Sequence, residues 1–253
     1  MHHQIDLNSD MGESFGAYKL GNDAEIIQYV TSANIACGWH AGDPMVMDRT
    51  VKAAAARGVA VGAHPGYPDL MGFGRRKMTL SPLETKNYVK YQIGALWAFA
   101  KSEGLKLQHV APHGSLGNLC QYDRETSRAI CEAVYEIDPS IMIYYCAGAV
   151  LGEEAKKLGL TAKSEIFADR AYMDDLSLVP RSMPGAMIMD ENIAIARCIR
   201  MVKEGKVTSL NGKELDIRGD TLCVHGDGAK ALAFVEKIRA AFTAEGIEIR
   251  NFQ

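Results

Sequence analysis

Four short apolar runs in this chain lead into a histidine at the start of a loop, and they reach His40, His64, His113 and His225. Histidine can transfer a proton near neutral pH or bind a metal ion, because its unperturbed pKa is about 6.5. In proteins that alternate strands and helices, ligands bind at the carboxyl ends of the strands. Four histidines in equivalent positions therefore predict one shared catalytic site.

A fifth run ends in carboxylates instead of a histidine. It reads DLNSDMGE, and strand alternation places Asp6, Asn8 and Asp10 on one face, with Glu13 shortly after. In a barrel that face points inward, where an unpaired carboxylate is costly to bury. These side chains are therefore expected to bind a cation or a metal ion or to transfer protons. The alternative is a solvated face on an edge strand.

Further charged candidates follow other predicted strands: Asp43, Asp169, Arg170, Arg181 and Asp227. Asp43 precedes a proline and is expected either to face a ligand or to cap the next helix. The arginines could clamp a carboxylate or phosphate, since guanidinium groups bind these anions through paired hydrogen bonds. A structural ion pair between Asp169 and Arg170 is the alternative.

Strands and helices alternate along the whole chain and must position these residues. The predicted strands are Gln4–Asp10, Ala33–Cys37, Val59–Ala63, Leu107–Pro112, Ile141–Cys146, Lys163–Ala168 and Thr221–Val224, with a terminal strand in Gly246–Asn251. The predicted helices are Ala24–Val30, Asp43–Ala56, Ser81–Glu103, Asp123–Ile137, Ala149–Leu158, Asp190–Glu204 and Lys230–Glu245. Asn211-Gly212 predicts a hairpin within Val207–Ile217.

About seven strand–helix units with short connections favour a parallel sheet, because parallel strands need crossover helices. Periodicity alone leaves open whether the sheet closes into a barrel. The length of 253 residues suits one domain spanning residues 1–253.

Composition narrows the class of function. A formal net charge of -3 gives no electrostatic footprint for nucleic acid or for an anionic membrane. The sequence contains no apolar stretch of roughly 18 to 20 residues, and its first residues lack the apolar region of a signal peptide. The cytoplasm is therefore the expected compartment. The six cysteines show no CxxC spacing, which predicts reduced and largely buried thiols.

Eight segments, in order along nearly the whole chain, resemble the LamB/YcsF family. They are IDLNSDMGESFGAYKLGND, SANIACGWHAGDP, GVAVGAHPGYPDLMGFGRR, YQIGAL, PHGSLGN, EIFADRAY, LVPRS and CVHGDG. The resemblance implies an α/β fold, a seven-stranded (β/α) barrel of the glycoside hydrolase/deacetylase type. It also implies an ATP-dependent amidohydrolase that opens the lactam 5-oxo-L-proline to L-glutamate.

The resemblance carries further expectations about cofactors, partners and site residues. Two other subunits, B and C, would complete the enzyme, ATP would bind to this chain or to those partners, and a divalent metal ion such as Mg²⁺ is compatible with the reaction. The implied catalytic residues are Asp6, Asp10, His40, His64, His113 and His225. The implied substrate-binding residues are Asn8, Glu13, Asp43, Asp169, Arg170, Arg181 and Asp227. Metal ligands are not predicted, and homo-oligomerisation is left open.

Two positions depart from the family pattern. Ala111 stands where the family usually has lysine, and Gly117 stands where it usually has tyrosine. Loss of a strand-end cation leaves open an activity that is reduced, shifted to another lactam, or absent, as in a non-catalytic subunit. The likeness to the deacetylase superfamily leaves a further alternative, a metal-dependent, deacetylase-like hydrolase.

Overall fold

The computed structural model describes residues 3–224 and 231–252. Within them, seven parallel strands form a closed barrel in the order β1-β2-β3-β4-β5-β6-β9, and β9 pairs with β1 to complete it. The strands are β1 (His3–Met11), β2 (Ser32–Ala36), β3 (Ala60–His64), β4 (Leu107–Val110), β5 (Met142–Cys146), β6 (Ala162–Phe167), β7 (Lys206–Thr208), β8 (Glu214–Asp216), β9 (Thr221–Cys223) and β10 (Ile247–Ile249). The predicted seven-stranded (β/α) barrel is confirmed.

Helices follow each barrel strand in the chain. They are α1 (Asp23–Ile26), α2 (Pro44–Ala55), α3 (Pro82–Ser102), α4 (Gly114–Leu119), α5 (Arg124–Ile137), α6 (Val150–Lys157), α7 (Glu191–Glu204) and α8 (Ala231–Ala244). The start of α3 is fixed by a capping box, in which the Ser81 hydroxyl accepts from the Glu84 amide and the Glu84 carboxylate accepts from the Ser81 amide. Val89, Ile93 and Leu96 of α3 are fully buried in the hydrophobic core. Their helical spacing shows why this segment covers the barrel.

Three details refine the predicted elements. The first helix was predicted over Ala24–Val30 but ends at Ile26, where the chain tightens into a turn in which the Tyr29 amide donates to the Ile26 carbonyl. The predicted hairpin at Asn211-Gly212 is confirmed by the antiparallel pair β7–β8. The terminal strand β10 runs parallel to the first residues of β1.

Strand alternation sorts the first strand into two faces. Ile5 and Leu7 are fully buried in the hydrophobic core. Asp6 accepts a hydrogen bond from Tyr144 on β5, which is not a neighbour of β1 in the sheet. The even-numbered side chains therefore face the barrel interior, and that interior is polar rather than packed with aliphatic groups.

All six cysteines are free thiols, and five of them are buried, as the sequence predicts. None of the helices in the described parts of the chain combines the length and the apolar character that crossing a membrane would require.

Candidate active site at the barrel mouth

Five predicted site residues meet at the carboxyl ends of the first strands: Asp10, Glu13, His40, His64 and His113. Asp10 and His64 lie on β1 and β3, and the other three lie in the loops after β1, β2 and β4. The histidines are almost completely buried, whereas the side chains of Asp10 and Glu13 are 15% and 12% exposed. Solvent therefore reaches this cluster at its two carboxylates.

Hydrogen bonds in the cluster determine where the protons lie. His64 Nδ1 is 2.6 Å from the Ala111 carbonyl, and His113 Nε2 is 2.9 Å from the Phe73 carbonyl. A carbonyl only accepts, so both nitrogens must carry hydrogen. In a neutral His113, Nδ1 is then an acceptor, and His64 Nε2 donates to it over 2.9 Å. His64 therefore donates from both nitrogens and is an imidazolium, with Asp10 Oδ1 at 3.4 Å.

The electrostatic environment agrees with this assignment. Burial acts to lower the pKa of His64, but the charges of Asp10 and Glu13 outweigh it and raise that pKa to about 9. Burial lowers the pKa of His113 to about 3, and the charge on His64 acts in the same direction. The mouth of the barrel thus contains a charged histidine beside a neutral one.

His40 is the second neutral histidine of the cluster. Its ring stacks on His113 with a centroid distance of 3.7 Å and an interplanar angle of 4°. Burial, followed by the neighbouring His113 and His64, lowers its pKa well below the ordinary value. Nε2 lies 3.2 Å from Glu13 Oε1, and within the described parts of the chain Nδ1 has no hydrogen-bond partner. His40 therefore donates to Glu13 as a neutral ring.

The geometry also tests whether the cluster fits a metal ion. One ligand atom from each of Glu13, His40, His64 and His113 lies within 4.8 Å of the others, and such donors suit zinc better than Mg²⁺. However, the parallel rings of His40 and His113 cannot both aim an in-plane lone pair at one ion about 2.1 Å away. In addition, His113 Nδ1 already accepts a hydrogen bond from His64 Nε2, so neither nitrogen is available to a metal ion. As arranged, the four residues do not fit a single tetrahedral ion.

Asp6 lies below this cluster and is fully buried. Its carboxylate accepts hydrogen bonds from four hydroxyl groups, those of Thr31, Ser32, Tyr144 and Thr221, at 2.6 to 3.1 Å. Burial nonetheless raises its pKa, against the effect of these hydrogen bonds. The structure thus places Asp6 in the barrel interior, one inward-facing layer below Asn8 and two below Asp10.

Asn34 and His109 lie in the barrel interior between the layer of Asp6 and the mouth, and neither was among the site residues predicted from the sequence. Asn34 donates from Nδ2 to Asn8 Oδ1 at 2.8 Å and to Asp10 Oδ1 at 2.9 Å. Its Oδ1 lies 2.7 Å from His109 Nε2. The period-two spacing of His109 and His113 was a signal that could have identified His109 as inward-facing.

A second charged group follows β6. The Arg170 side chain is buried and donates to the Val179 carbonyl at 2.7 Å, while its Nε has no hydrogen-bond partner among residues 3–224 and 231–252. Burial lowers the pKa of Arg170, and Arg181 and Arg75 act in the same direction, whereas Asp169 raises it. Arg75 also acts on His40 and His113 of the first cluster. Arg75 is therefore close enough to act electrostatically on both the histidine cluster and the Arg170 group.

The remaining predicted residues have different outcomes. Asp43 caps α2, since its carboxylate accepts from the Val46 amide at 2.9 Å and from the Gly16 amide at 2.7 Å. These backbone hydrogen bonds lower its pKa. The structure therefore shows the helix-capping alternative for Asp43. His225 and Asp227 lie outside the described residues.

The buried neutral histidines predict sensitivity to acid. Burial lowers the pKa of His109 and of His113 to about 3, whereas an unfolded chain takes up these protons near pH 6.5. Below pH 6.5 the unfolded state binds more protons than the folded state. The free energy of unfolding therefore decreases as the pH is lowered, by up to about 1.4 kcal/mol per pH unit for each of these histidines. Urea unfolding at pH 7.0, 5.5 and 4.5 measures this slope. An unchanged free energy of unfolding from pH 7.0 to 5.5 would contradict the assignment.

Comparisons with known proteins agree with this architecture. The family model described as LamB/YcsF family matches residues 5–253. The A subunit of 5-oxoprolinase from Alkaliphilus metalliredigens (strain QYMF) is 56% identical over 98% of this chain and 96% of its own. The crystal structure of the lactam utilization protein from Thermus thermophilus superposes with a TM-score of 0.93 at 51% identity, covering 98% of this chain and 100% of that one.

A more distant likeness concerns the fold alone. The catalytic domain of a peptidoglycan N-acetylglucosamine deacetylase from Eubacterium rectale ATCC 33656 shares 10% identity and a TM-score of 0.52, over 99% of this chain and 89% of that one. The match of the family model to almost the entire sequence, together with more than half of all residues shared with such a relative, shows that the chain belongs to the LamB/YcsF family.

Proposed function

We propose that this chain is the hydrolytic subunit of an ATP-dependent enzyme that opens 5-oxo-L-proline to L-glutamate. The names of its relatives, the A subunit of 5-oxoprolinase and a lactam utilization protein, support the substrate class. The observation that carries the proposal is the Asp10 carboxylate beside the His64 imidazolium at the barrel mouth. Amide hydrolysis needs a base for water and a positive charge for the carbonyl oxygen, and this pair supplies both.

Asp10 is suited to activate water. It is ionised beside the charged His64 and partly exposed, so a water molecule can reach its carboxylate oxygens. His64 donates both of its protons to protein acceptors and therefore acts as a fixed positive charge, not as an acid. Such a charge stabilises the negative charge that the phosphorylated lactam oxygen carries when water attacks the ring carbon.

Arg170 is proposed to bind the carboxylate of the substrate, with Arg181 at the outer edge. Among the described residues, the Nε of Arg170 is a buried donor without a hydrogen-bond partner, and a carboxylate would satisfy it with a charge-assisted hydrogen bond. Because an unpaired buried donor costs about 1–3 kcal/mol, a substrate carboxylate there relieves that cost. A lactam without a carboxylate, such as 2-pyrrolidinone, would not.

ATP is proposed to phosphorylate the lactam oxygen, with release of ADP, which makes the ring carbon more electrophilic. Water then adds to that carbon, the ring C–N bond breaks with the amine as leaving group, and a second water hydrolyses the resulting acyl phosphate to glutamate and inorganic phosphate. The chain contains no GxxxxGK[ST] phosphate loop. We therefore propose that the nucleotide binds together with the two partner subunits, B and C, and that this chain supplies the hydrolytic site.

The proposal is tested by co-expressing this chain with candidate B and C subunits and purifying the complex. We expect ATP-dependent release of glutamate from 5-oxo-L-proline, and at least tenfold less turnover of 2-pyrrolidinone. Turnover of a different lactam in preference to 5-oxo-L-proline would replace the substrate. Absence of hydrolysis of any lactam by an intact complex would favour the non-catalytic alternative for this chain.

A further inference from the structure

The carboxylate proposed as the base receives a hydrogen bond from below from the side-chain amide of Asn34. Asn34 lies on β2 inside the barrel and is 1% exposed. Its Nδ2 donates to Asp10 Oδ1 at 2.9 Å, the same oxygen that lies 3.4 Å from His64 Nε2. The Asp10 rotamer that faces His64 is therefore also the one that receives this hydrogen bond.

The orientation of that amide is determined by its other contacts. An ionised carboxylate cannot donate, so the nitrogen of Asn34 must face Asp10 and its oxygen must face the opposite way. That oxygen lies 2.7 Å from His109 Nε2, so the neutral His109 ring carries its hydrogen on Nε2 and donates it to Asn34. A reversed amide would place its oxygen against the Asp10 carboxylate and would lose that hydrogen bond.

His109 in turn cannot move away from Asn34. Its ring stacks on Tyr144 with a centroid distance of 3.9 Å and an interplanar angle of 4°. On another side it contacts the backbone at Gly62, where even a Cβ atom would lie 2.1 Å from His109 Nε2. The ring is confined between an aromatic side chain and a neighbouring strand, so the support beneath Asn34 is rigid.

We propose that Asn34, held by His109, is a positioning residue that orients Asp10 toward His64 for the hydrolysis proposed above. Asn34 is buried beneath Asp10, and it acts through that carboxylate. The inference rests on the proposed function for its catalytic consequence, although the orientation of Asp10 can be tested without turnover.

The first test is an NMR titration of the His64 side chain in the full chain. Asn34→Ala and the similarly sized Asn34→Leu remove this hydrogen bond to Asp10, and we expect the His64 midpoint to fall by about one unit as Asp10 loses its orientation toward His64. Ser32→Ala is the matched control, because Ser32 lies on the same strand, is equally buried, and donates to Asp6 at 2.7 Å instead of to Asp10. It should leave the midpoint within about 0.3 unit.

The second test uses the complete enzyme complex. We expect both Asn34 variants to lower kcat about 10- to 100-fold while KM stays within about threefold, since a misplaced base slows chemistry without removing substrate contacts. His109→Phe keeps a ring against Tyr144 and removes the donor to Asn34, so it should change both readouts in the same direction. This variant decides the question if the Asn34 variants fold poorly.

Two results would overturn the positioning role: an unchanged His64 midpoint in these variants, or a loss of kcat no larger than that of Ser32→Ala. Failure of the proposed function is distinguishable from either. If the wild-type complex does not hydrolyse 5-oxo-L-proline, the proposed function fails, while the His64 titration still decides whether Asn34 orients Asp10.

Discussion

Asp10→Asn is expected to lower kcat of the assembled enzyme by about 100- to 10,000-fold, the usual contribution of a general base. The substitution keeps the size of the side chain and removes its charge. Substrate binding should change little, because Arg170 and Arg181 are the groups proposed to hold the substrate carboxylate. A lowered kcat with KM within about threefold would show that Asp10 acts in the chemical step.

The same substitution should change the protonation of His64. Without the Asp10 charge, the smaller effects of Glu13 and of the Ala111 carbonyl remain to oppose the burial of His64, so the pKa of His64 should fall from about 9. NMR titration of the unassembled chain measures this directly. Asp216→Asn is the control, because Asp216 lies on the β7–β8 hairpin with its side chain 88% exposed. Wild-type turnover by Asp10→Asn, in a folded complex, would remove Asp10 from the mechanism.

The sequence predicted the fold and the general place of the site well. Strand and helix alternation indicated a parallel sheet, and the resemblance to one family implied closure with seven strands. The histidines at the ends of β2, β3 and β4 converge as expected, because parallel strands bring their carboxyl ends to one side. Asp43 shows a limit, since its helix-capping role and a ligand-binding role have the same sequence signature.

Depth inside the barrel could not be predicted from alternation. A period of two gives the face of a strand, but the stagger between neighbouring strands decides which layer a residue joins. Asp6 pairs with Thr221 at the beginning of β9, which places it well below the mouth although it shares a face with Asp10. Only the three-dimensional arrangement separates the buried carboxylate from the accessible one.

Protonation states were also beyond the sequence. Two backbone carbonyls, those of Ala111 and Phe73, determine which ring nitrogens of His64 and His113 carry hydrogen. Any residue type at those positions would supply a carbonyl, so no sequence pattern marks them. This also bears on Ala111, because its backbone fixes His64 even though a side-chain cation expected from the family is missing there.

Gly62→Ala is expected to destabilise the protein by about 2 to 4 kcal/mol, through overpacking and the loss of a buried hydrogen bond. The added Cβ would lie 2.1 Å from His109 Nε2, far inside van der Waals contact. His109 cannot yield easily, because it is stacked on Tyr144 and bonded to Asn34. Either the ring is displaced and the Asn34 hydrogen bond is lost, or strand β3 moves away from β4. Urea unfolding of the purified chain gives the change in free energy.

Gly94→Ala is the matched control for this substitution. Gly94 lies on the exposed side of α3, and a Cβ there meets no atom within 4 Å. Alanine also favours a helix interior over glycine, so this variant should gain about 0.5–1 kcal/mol. A double-mutant cycle locates the cause: in a His109→Ala background, which removes the clashing ring, Gly62→Ala should cost less than about 1 kcal/mol. If it costs as much there as in the wild type, the strain arises from the β3 backbone, and His109 is not the residue that requires glycine at position 62.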